Sequence, residues 1–540
     1  MTADATPVIS RAQRCADWIH ARRWWLLGGW LVHAVVIHAL FLGIPSWDGY
    51  TYHLPPMVDL IQHGELGYDK YWAFPFTGFV PFAELVQLPL LAALGLPGLL
   101  ITGPLIVFPL CVVGVYKLGR KLTGSAHAGV FAALAYGAIP MINDQPFSGY
   151  IDFIVSASLA YFIYGLLELR HADRPWRAAI RVVVATAILT LTKQSGIYIC
   201  GMLSALLFVA LFLEREGNKL RVVGRRALGI AIVAITIGAL PELCIQIGKY
   251  ITHGTPIYPY QFDLLGVKLG VGVPMKEIFF QSGLADDTPR EFARNFVAAW
   301  IWPSTRPHDL FDSRHFGGGW VLVTALALLP VFLRSATRFE KWLGISCVIV
   351  SVFARDFFYP RFSYTLVVAI CVVIGRAMFE LARAPRGRWR FWLAGAVLVL
   401  HLARPEYDLW QVRQSGPVGY RIDVLDGPWF QSGPGVLEPV PDLHARLVIV
   451  DYTRNGFLLP LYGRRLTNEI EYTVPAAQVG PRCAGLRFLA ARDPTALFVD
   501  ELDRTVGCDR VCGISDRWGW CRAWQLFPVD HRASDRGAGP

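Results

Sequence analysis

Long apolar segments recur along most of the sequence, and they restrict its fold more than any other feature. The longer segments run for about 18 residues or more, enough for a helix to cross the hydrocarbon layer of a membrane. The 540 residues are 54% hydrophobic and only 17% charged, whereas soluble domains carry about 25% charged residues. Because a chain in lipid must satisfy its own backbone hydrogen bonds, these segments predict a polytopic α-helical membrane protein.

The positions of the basic residues predict which side of the membrane each loop occupies. About eleven apolar segments alternate with loops, and Lys and Arg cluster after every second segment, as at 117–121, 215–226 and 383–390. Cytoplasmic loops carry such an excess of basic residues, so we predict a cytoplasmic N-terminus and an external C-terminal tail. The predicted spans are 24–44, 98–116, 127–142, 151–167, 178–192, 196–213, 227–250, 318–333, 342–354, 365–379 and 391–403.

The chain divides into two predicted domains. Residues 1–403 form a transmembrane module with a first outer loop at 45–97 and a long outer loop at 251–317. Prolines interrupt the apolar stretch 74–95, which predicts surface-lying helices there rather than another span. In the tail, 404–540, the apolar runs ARLVIVD and ALFVDELD end in acidic residues. They predict buried strands of a small extracytoplasmic α/β domain.

The tail also contains Cys483, Cys508, Cys512 and Cys521. In an oxidising compartment these cysteines predict two disulfides, with three pairings possible. The alternative for the CDRVC spacing is half of a zinc site. The net charge of +10 does not indicate a nucleic-acid partner, because the basic residues are spread over short loops and form no continuous tract.

The first outer loop concentrates ionisable side chains at the membrane boundary, where they usually face a cavity and mark function. Asp48 follows the first span closely, Tyr52 and His53 come next, and Glu84 lies further along. A carboxylate at Asp48 can act as a general base or hold a metal ion, or it can cap a helix. Asp152, at the outer start of the fourth span, is a candidate for orienting the acceptor or sharing a metal ion, and the alternative is again a helix cap.

Four basic residues fall at outer span ends or in outer loops, and they are candidates for binding a phosphate group. The alternative is that their side chains only extend to the membrane interface. These residues are Lys70, Lys193, Arg355 and Arg361.

Several short motifs occur in a set order along the chain. Tyr-His-Leu-Pro follows Asp48, and GYIDFIVSA opens the fourth span. LTKQSGIY separates the fifth and sixth spans, HGTPIYPY follows the seventh, and YPRFSY precedes the tenth. In this order they resemble the GT-C type membrane glycosyltransferases, in the branch of protein O-mannosyltransferases and aminoarabinose transferases. The sequence departs from that pattern at Gly49, where Glu is frequent, and at Thr255, where Asn is usual.

This resemblance implies a fold of the GT-C type and inverting transfer of a sugar from a polyprenyl-phosphate donor. It implies an active site on the outer face of the membrane, among membrane lipids. We predict the inner membrane of a bacterium, and the alternative is another membrane of the same polarity. Asp48 would serve the acceptor as base or positioning carboxylate, with Asp152 as a second catalytic carboxylate. A divalent metal, held by Asp48 and Asp152, is left open, as are the sugar and an acceptor that is protein, lipid or polysaccharide. The alternative function is a transporter or flippase of lipid-linked sugars, although such proteins often contain internal repeats and none is evident here.

The predicted topology can be tested with reporter fusions. A reporter that is active only in the cytoplasm, fused after Arg404, should be inactive, because the tail is predicted to lie outside. A reporter that is active only outside should work at the same position. The opposite pattern would overturn the orientation and every outer-face residue assignment that depends on it.

Overall fold

The structure is a computed structural model that describes residues 11–37, 53–64, 82–95, 98–139, 142–143, 145–146, 151–171, 175–193, 195–216, 219–254, 260–264, 267–269, 273–274, 320–353, 364–384, 388–403, 446–450, 465–474, 488–492 and 524–528. Most of these residues are helical. The helices are α1 (Arg11–Ile37), α2 (Pro55–His63), α3 (Phe82–Leu85), α4 (Leu88–Leu94), α5 (Leu99–Ile101), α6 (Phe108–Thr123), α7 (Ala126–Ala138), α8 (Asp152–His171), α9 (Pro175–Thr192), α10 (Ser195–Phe212), α11 (Arg225–His253), α12 (Trp320–Ser335), α13 (Arg338–Phe353), α14 (Tyr364–Arg383) and α15 (Arg388–Leu402). A π-helical segment, Thr102–Val107, joins α5 to α6.

The described helices confirm a polytopic helical membrane protein. Six helical stretches are long and apolar enough to cross a membrane: Thr102–Thr123, Asp152–Arg170, Pro175–Thr192, Ser195–Phe212, Arg225–Ile251 and Tyr364–Arg383. Two shorter apolar helices, α7 and α12, coincide with other predicted spans. Each predicted span overlaps a helix, and the total of about eleven membrane crossings stays a prediction. The described part of the proline-interrupted stretch forms the short helices α3 and α4, and their position at the membrane surface stays a prediction.

Two small groups of strands lie between the helices. Strands β1 (Leu213–Glu216) and β2 (Lys219–Val222) form an antiparallel hairpin in a loop that we predicted only as a basic connection. In its register Glu214 faces Arg221, and opposite charges across a ladder favour pairing. Strands β3 (Tyr260–Leu264), β4 (Val267–Leu269) and β5 (Val273–Pro274) form a three-stranded sheet in the long outer loop.

The tail contains a four-stranded sheet. Its strands are β6 (Arg446–Val450), β7 (Glu469–Val474), β8 (Phe488–Arg492) and β9 (Trp524–Pro528), in the order β7-β6-β8-β9. The predicted strand ARLVIVD is β6, whereas ALFVDELD lies outside the described residues. β6 is parallel to both β7 and β8, and parallel neighbours require crossover connections. This arrangement suits the predicted α/β domain, which itself stays a prediction.

Close packing of small residues brings α6, α7 and α14 together. A Cβ atom added to Gly375 of α14 would lie 2.8 Å from the carbonyl oxygen of Ala128 and 2.9 Å from the Ala132 Cβ, both on α7. On Gly129 of α7, it would lie 2.6 Å from the carbonyl oxygen of Tyr116 on α6. Small residues let membrane helices approach closely enough for their backbones to touch. These contacts hold α14, whose residues are largely buried, at the centre of the bundle.

The variant Gly375→Val should destabilise the helix bundle because the new side chain meets backbone atoms of α7. We expect a cost of about 1–3 kcal/mol, the usual penalty for overpacking, measured as a lower thermal unfolding temperature in detergent. Gly395→Val in α15 is the matched control, because nothing lies within 4 Å of a Cβ at that glycine. Equal losses in both variants would mean that helix propensity, and not packing, controls the effect.

Candidate active site

Asp152 is the first residue of α8, and its carboxylate is held inside the protein at one end of the bundle. Only 2% of the side chain is exposed. The Tyr364 hydroxyl donates a hydrogen bond of 2.7 Å to Asp152 Oδ1, and the Lys193 ammonium contacts the same oxygen. Gln145 Nε2 donates to Asp152 Oδ2 over 3.3 Å. A buried carboxylate is costly unless it is paired and hydrogen-bonded, and these three donors supply both.

Three helix ends meet at this carboxylate. Asp152 begins α8, Lys193 directly follows the end of α9, and Tyr364 begins α14. The partial positive charge at a helix N-terminus favours the carboxylate, and the partial negative charge at a C-terminus favours the ammonium. Gln145 Oε1 also accepts a hydrogen bond of 2.6 Å from the Phe153 backbone N–H. It thereby satisfies one of the donors that every helix start leaves unpaired.

The charged groups of this cluster differ in their access to solvent. The Lys193 side chain is 23% exposed, against 2% for Asp152. The Lys193 Nζ atom also lies 5.4 Å from the centroid of the Tyr364 ring, within the range of a cation–π contact. Lys193 is therefore the more accessible member of the ion pair, and the Asp152 side chain is enclosed.

A second pair, His53 and Glu84, connects two parts of the first outer loop. His53 Nδ1 contacts Glu84 Oε1, and the two side chains are 11% and 4% exposed. Glu84 lies on α3, which packs against α9, the helix that ends just before Lys193. No hydrogen-bond donor among the described residues reaches the buried Glu84 Oε2 atom. The predicted residues His53 and Glu84 are thus brought together.

The other residues predicted for the site lie outside the described residues. They are Asp48, Tyr52, Lys70, Arg355 and Arg361, and the roles given to them stay predictions. The same holds for the four tail cysteines and their disulfides.

The metal hypothesis finds no support at Asp152. In the part of the chain that the structure describes, no three His, Cys, Asp or Glu side chains form a group that could hold a metal ion. The Asp152 oxygens are instead occupied by an ammonium, a phenol and a carboxamide. Lys193 is thus the cation that meets this carboxylate among the described residues, and the metal hypothesis, which also involves Asp48, stays a prediction.

Tyr364 and Gln145 are members of this cluster that sequence reasoning missed. Tyr364 is the last residue of the motif YPRFSY, and Gln145 lies four residues before the motif GYIDFIVSA. A motif therefore marked Tyr364 itself and the neighbourhood of Gln145. The sequence did not identify Gln145 and Tyr364 as site residues, because a polar side chain in a turn usually bonds only to nearby backbone.

A contact between α2 and the tail is a further feature that the sequence did not reveal. Gln62 Nε2 donates hydrogen bonds to the carbonyl oxygens of Leu466 (2.8 Å) and Asn468 (2.9 Å). Leu466 has a φ of 58°, a left-handed conformation that is uncommon outside glycine. Asn468 is fully buried. The same carboxamide therefore ties the first outer loop to a strained turn just before β7.

Comparison with solved structures identifies the fold. ArnT from Cupriavidus metallidurans bound to undecaprenyl phosphate superposes with a TM-score of 0.56 and 13% identity, covering 96% of this chain and 100% of that chain. The apo state of the same protein gives a TM-score of 0.55, 13% identity and coverage of 96% and 99%. The chain has the GT-C fold. The family resemblance noted in the motifs is confirmed at the level of the fold.

Other comparisons set the limits of this similarity. Archaeal oligosaccharyltransferase AglB from Archaeoglobus fulgidus overlaps with a TM-score of 0.44 and 14% identity, over 87% of this chain and 70% of that chain; this overlap is too loose to support a conclusion. No protein-family model and no curated protein matches the sequence. The GT-C fold therefore rests on three-dimensional similarity.

The Gln62 contact predicts that Gln62→Glu loosens residues 465–474 more than Gln62→Ala does. Gln62→Ala removes two hydrogen bonds, together about 1–3 kcal/mol, so the amides of residues 465–474 should exchange faster with deuterium. Gln62→Glu keeps the size but turns acceptor oxygens toward two carbonyls, and it should accelerate exchange further. Amides of α14 serve as the internal control and should not change. Unchanged exchange at 465–474 in both variants would contradict the contact.

Proposed function

We propose that the protein is a glycosyltransferase that transfers a sugar from a polyprenyl-phosphate donor to an acceptor on the outer face of the membrane. The single observation that carries the proposal is the Asp152–Lys193–Tyr364 cluster, built where three helices of a GT-C fold end. The motifs GYIDFIVSA, LTKQSGIY and YPRFSY each contribute one residue to it. That ArnT has been captured with undecaprenyl phosphate supports a lipid phosphate as the donor here.

The proposed reaction is an inverting substitution at the anomeric carbon of the sugar. An acceptor oxygen or nitrogen forms a bond to this carbon, and the bond from the carbon to the donor phosphate oxygen breaks. The proton of the acceptor passes to the Asp48 carboxylate, or Asp48 positions the acceptor as it attacks. The polyprenyl phosphate leaves with the bonding electrons and a second negative charge.

The leaving phosphate needs positive groups that are already in place, because preorganised charges lower the barrier most effectively. Lys193 is the candidate cation among the described residues at the site, and Lys70, Arg355 and Arg361 are proposed to act with it. Asp152 is the second carboxylate of the proposed site. His53, Glu84 and Tyr52 are proposed to line the acceptor side, on the first outer loop.

The proposed location is the inner membrane of a bacterium, with the N-terminus in the cytoplasm and the tail outside. Basic residues cluster in the last turns of α6, just after α10 and at the end of α14. Helix α10 begins just after Lys193 and α14 begins at Tyr364, so the basic ends of these two helices lie away from the cluster. This separation supports a site on the outer side, because basic loops remain in the cytoplasm.

The role of Asp48 can be tested with Asp48→Asn, which keeps the shape of the side chain and removes its charge. Sugar transfer by the purified protein should fall by about 100- to 10,000-fold, the usual contribution of a general base. Binding of the donor should change little, because the base acts on the acceptor. Transfer is measured with a radiolabelled sugar on a polyprenyl-phosphate carrier, beside a separate donor-binding measurement.

The matched control is Asp17→Asn in α1. Asp17 lies on the N-terminal part of that helix, where it pairs with His127 over 2.8 Å, and the charge pattern predicts that this part is cytoplasmic. This variant should transfer sugar normally. Near-normal transfer by well-folded Asp48→Asn protein would remove Asp48 from the mechanism. Donor binding by the unaltered protein without transfer to any acceptor would favour a transporter of lipid-linked sugars.

A further inference from the structure

Asp152 and Lys193 are in contact, but only one of them is placed to touch a substrate. The Asp152 side chain is 2% exposed and its carboxylate has donors on both oxygens, whereas the Lys193 side chain is 23% exposed. We infer that Asp152 and Tyr364 are positioning residues that hold the Lys193 ammonium for the donor phosphate, and that Lys193 takes the place of a metal ion on this carboxylate. This inference rests on the proposed function and gives Asp152 a role different from that of Asp48.

Occupancy of the carboxylate oxygens argues against the other roles for Asp152. A general base must reach the acceptor proton directly or through one water, and Oδ1 is covered by Lys193 and Tyr364. A metal ligand needs a lone pair directed at a cation, and the cation that meets Oδ1 is the lysine's own. Oδ2 accepts a hydrogen bond from Gln145, which also caps α8 and so cannot turn away without exposing a helix start.

A lysine that binds phosphate in a defined position needs neighbouring groups that hold its side chain in place. Its ammonium is a point charge on a flexible four-carbon stem, and ordering that stem costs conformational entropy. Here the Tyr364 ring lies beneath the ammonium and its hydroxyl shares the Asp152 oxygen. A lysine has three N–H donors, so one ammonium can contact the Asp152 carboxylate and a phosphate oxygen at the same time.

Removing the Asp152 charge has two opposing effects on phosphate binding. It would free the ammonium from a nearby negative charge, which favours phosphate. It would also release the lysine stem and withdraw the counter-ion of the ammonium. We expect the second effect to win, because the carboxylate charge is already shared among three donors and therefore repels an outer phosphate weakly.

The experiment measures binding of undecaprenyl phosphate to the purified full-length protein by native mass spectrometry. Lys193→Met should weaken binding by about 10- to 100-fold, the range for loss of a hydrogen bond to a charged group. Asp152→Asn should weaken it by roughly tenfold and Tyr364→Phe by about threefold to tenfold, since each removes one support of the lysine. Lys193→Arg, which keeps the charge, should recover part of the affinity.

The decisive measurement is the double variant Asp152→Asn/Lys193→Met. If Asp152 acts through Lys193, the added Asp152→Asn change should cause almost no further loss of binding, since coupled residues are not additive. Thermal unfolding gives a second readout that needs no ligand. The double variant should unfold at a higher temperature than Lys193→Met alone, because that single change leaves a buried carboxylate without its cation.

The matched control is the ion pair of Glu168 with Arg181, which joins the same two helices, α8 and α9, at their other ends. Arg181→Met and Glu168→Gln remove comparable charges far from the proposed phosphate position. Neither should change the affinity for undecaprenyl phosphate. A loss equal to that of Lys193→Met would show that general loosening of α8 and α9 explains the effect, and would overturn the inference.

Other outcomes separate this inference from the proposed function. Three results would overturn the positioning role and leave the glycosyltransferase proposal standing. They are additive losses in the double variant, tighter binding by Asp152→Asn, and unchanged binding with abolished transfer in Asp152→Asn. If undecaprenyl phosphate binding required Mg²⁺ or Mn²⁺ in the unaltered protein but not in Asp152→Asn, Asp152 would be a metal ligand. An unaltered protein that does not bind undecaprenyl phosphate would overturn the proposed function itself.

Discussion

The buried charge of Asp152 links the architecture of this protein to its proposed chemistry. A carboxylate removed from water costs several kcal/mol unless a counter-ion and hydrogen-bond donors surround it. Lys193, Tyr364 and Gln145 meet that requirement, and they come from three different segments of the chain. The ends of α8, α9 and α14 must therefore lie close together, and Lys193 is the more accessible member of the resulting ion pair.

Packing of small residues deeper in the bundle positions α14 so that Tyr364 reaches Asp152. Membrane helices gain little hydrophobic energy from each other and associate through close van der Waals contact. Gly375 allows α14 to touch the backbone of α7, and Tyr364 lies about three turns away along the same rigid helix. A shift of α14 along its axis would separate the Tyr364 hydroxyl from Asp152, so the glycine contact and the site depend on the same register.

The first outer loop is fixed from two sides. The His53–Glu84 contact joins the start of α2 to α3, which packs on α9. The Gln62 carboxamide joins the other end of α2 to the turn at Leu466 and Asn468 in the tail. In the proposed reaction this loop also carries Asp48, so the tail would influence catalysis by setting the position of α2 without supplying a reacting group.

The sequence by itself determined the class of the protein, most helix positions and the residues worth testing. Apolar length and basic loops are local properties set by the bilayer, so the spans, the proline-broken helices α3 and α4, and strand β6 could all be predicted. Four site candidates were identified individually, because an ionisable residue next to an apolar segment is also a local property of the sequence. They are Asp152, Lys193, His53 and Glu84. Their pairing, the participation of Tyr364 and Gln145, and the contact of Gln62 with the tail were decided only by the tertiary structure. These contacts join residues far apart in the chain, and which polar side chain satisfies a buried charge depends on helix packing that no local pattern records.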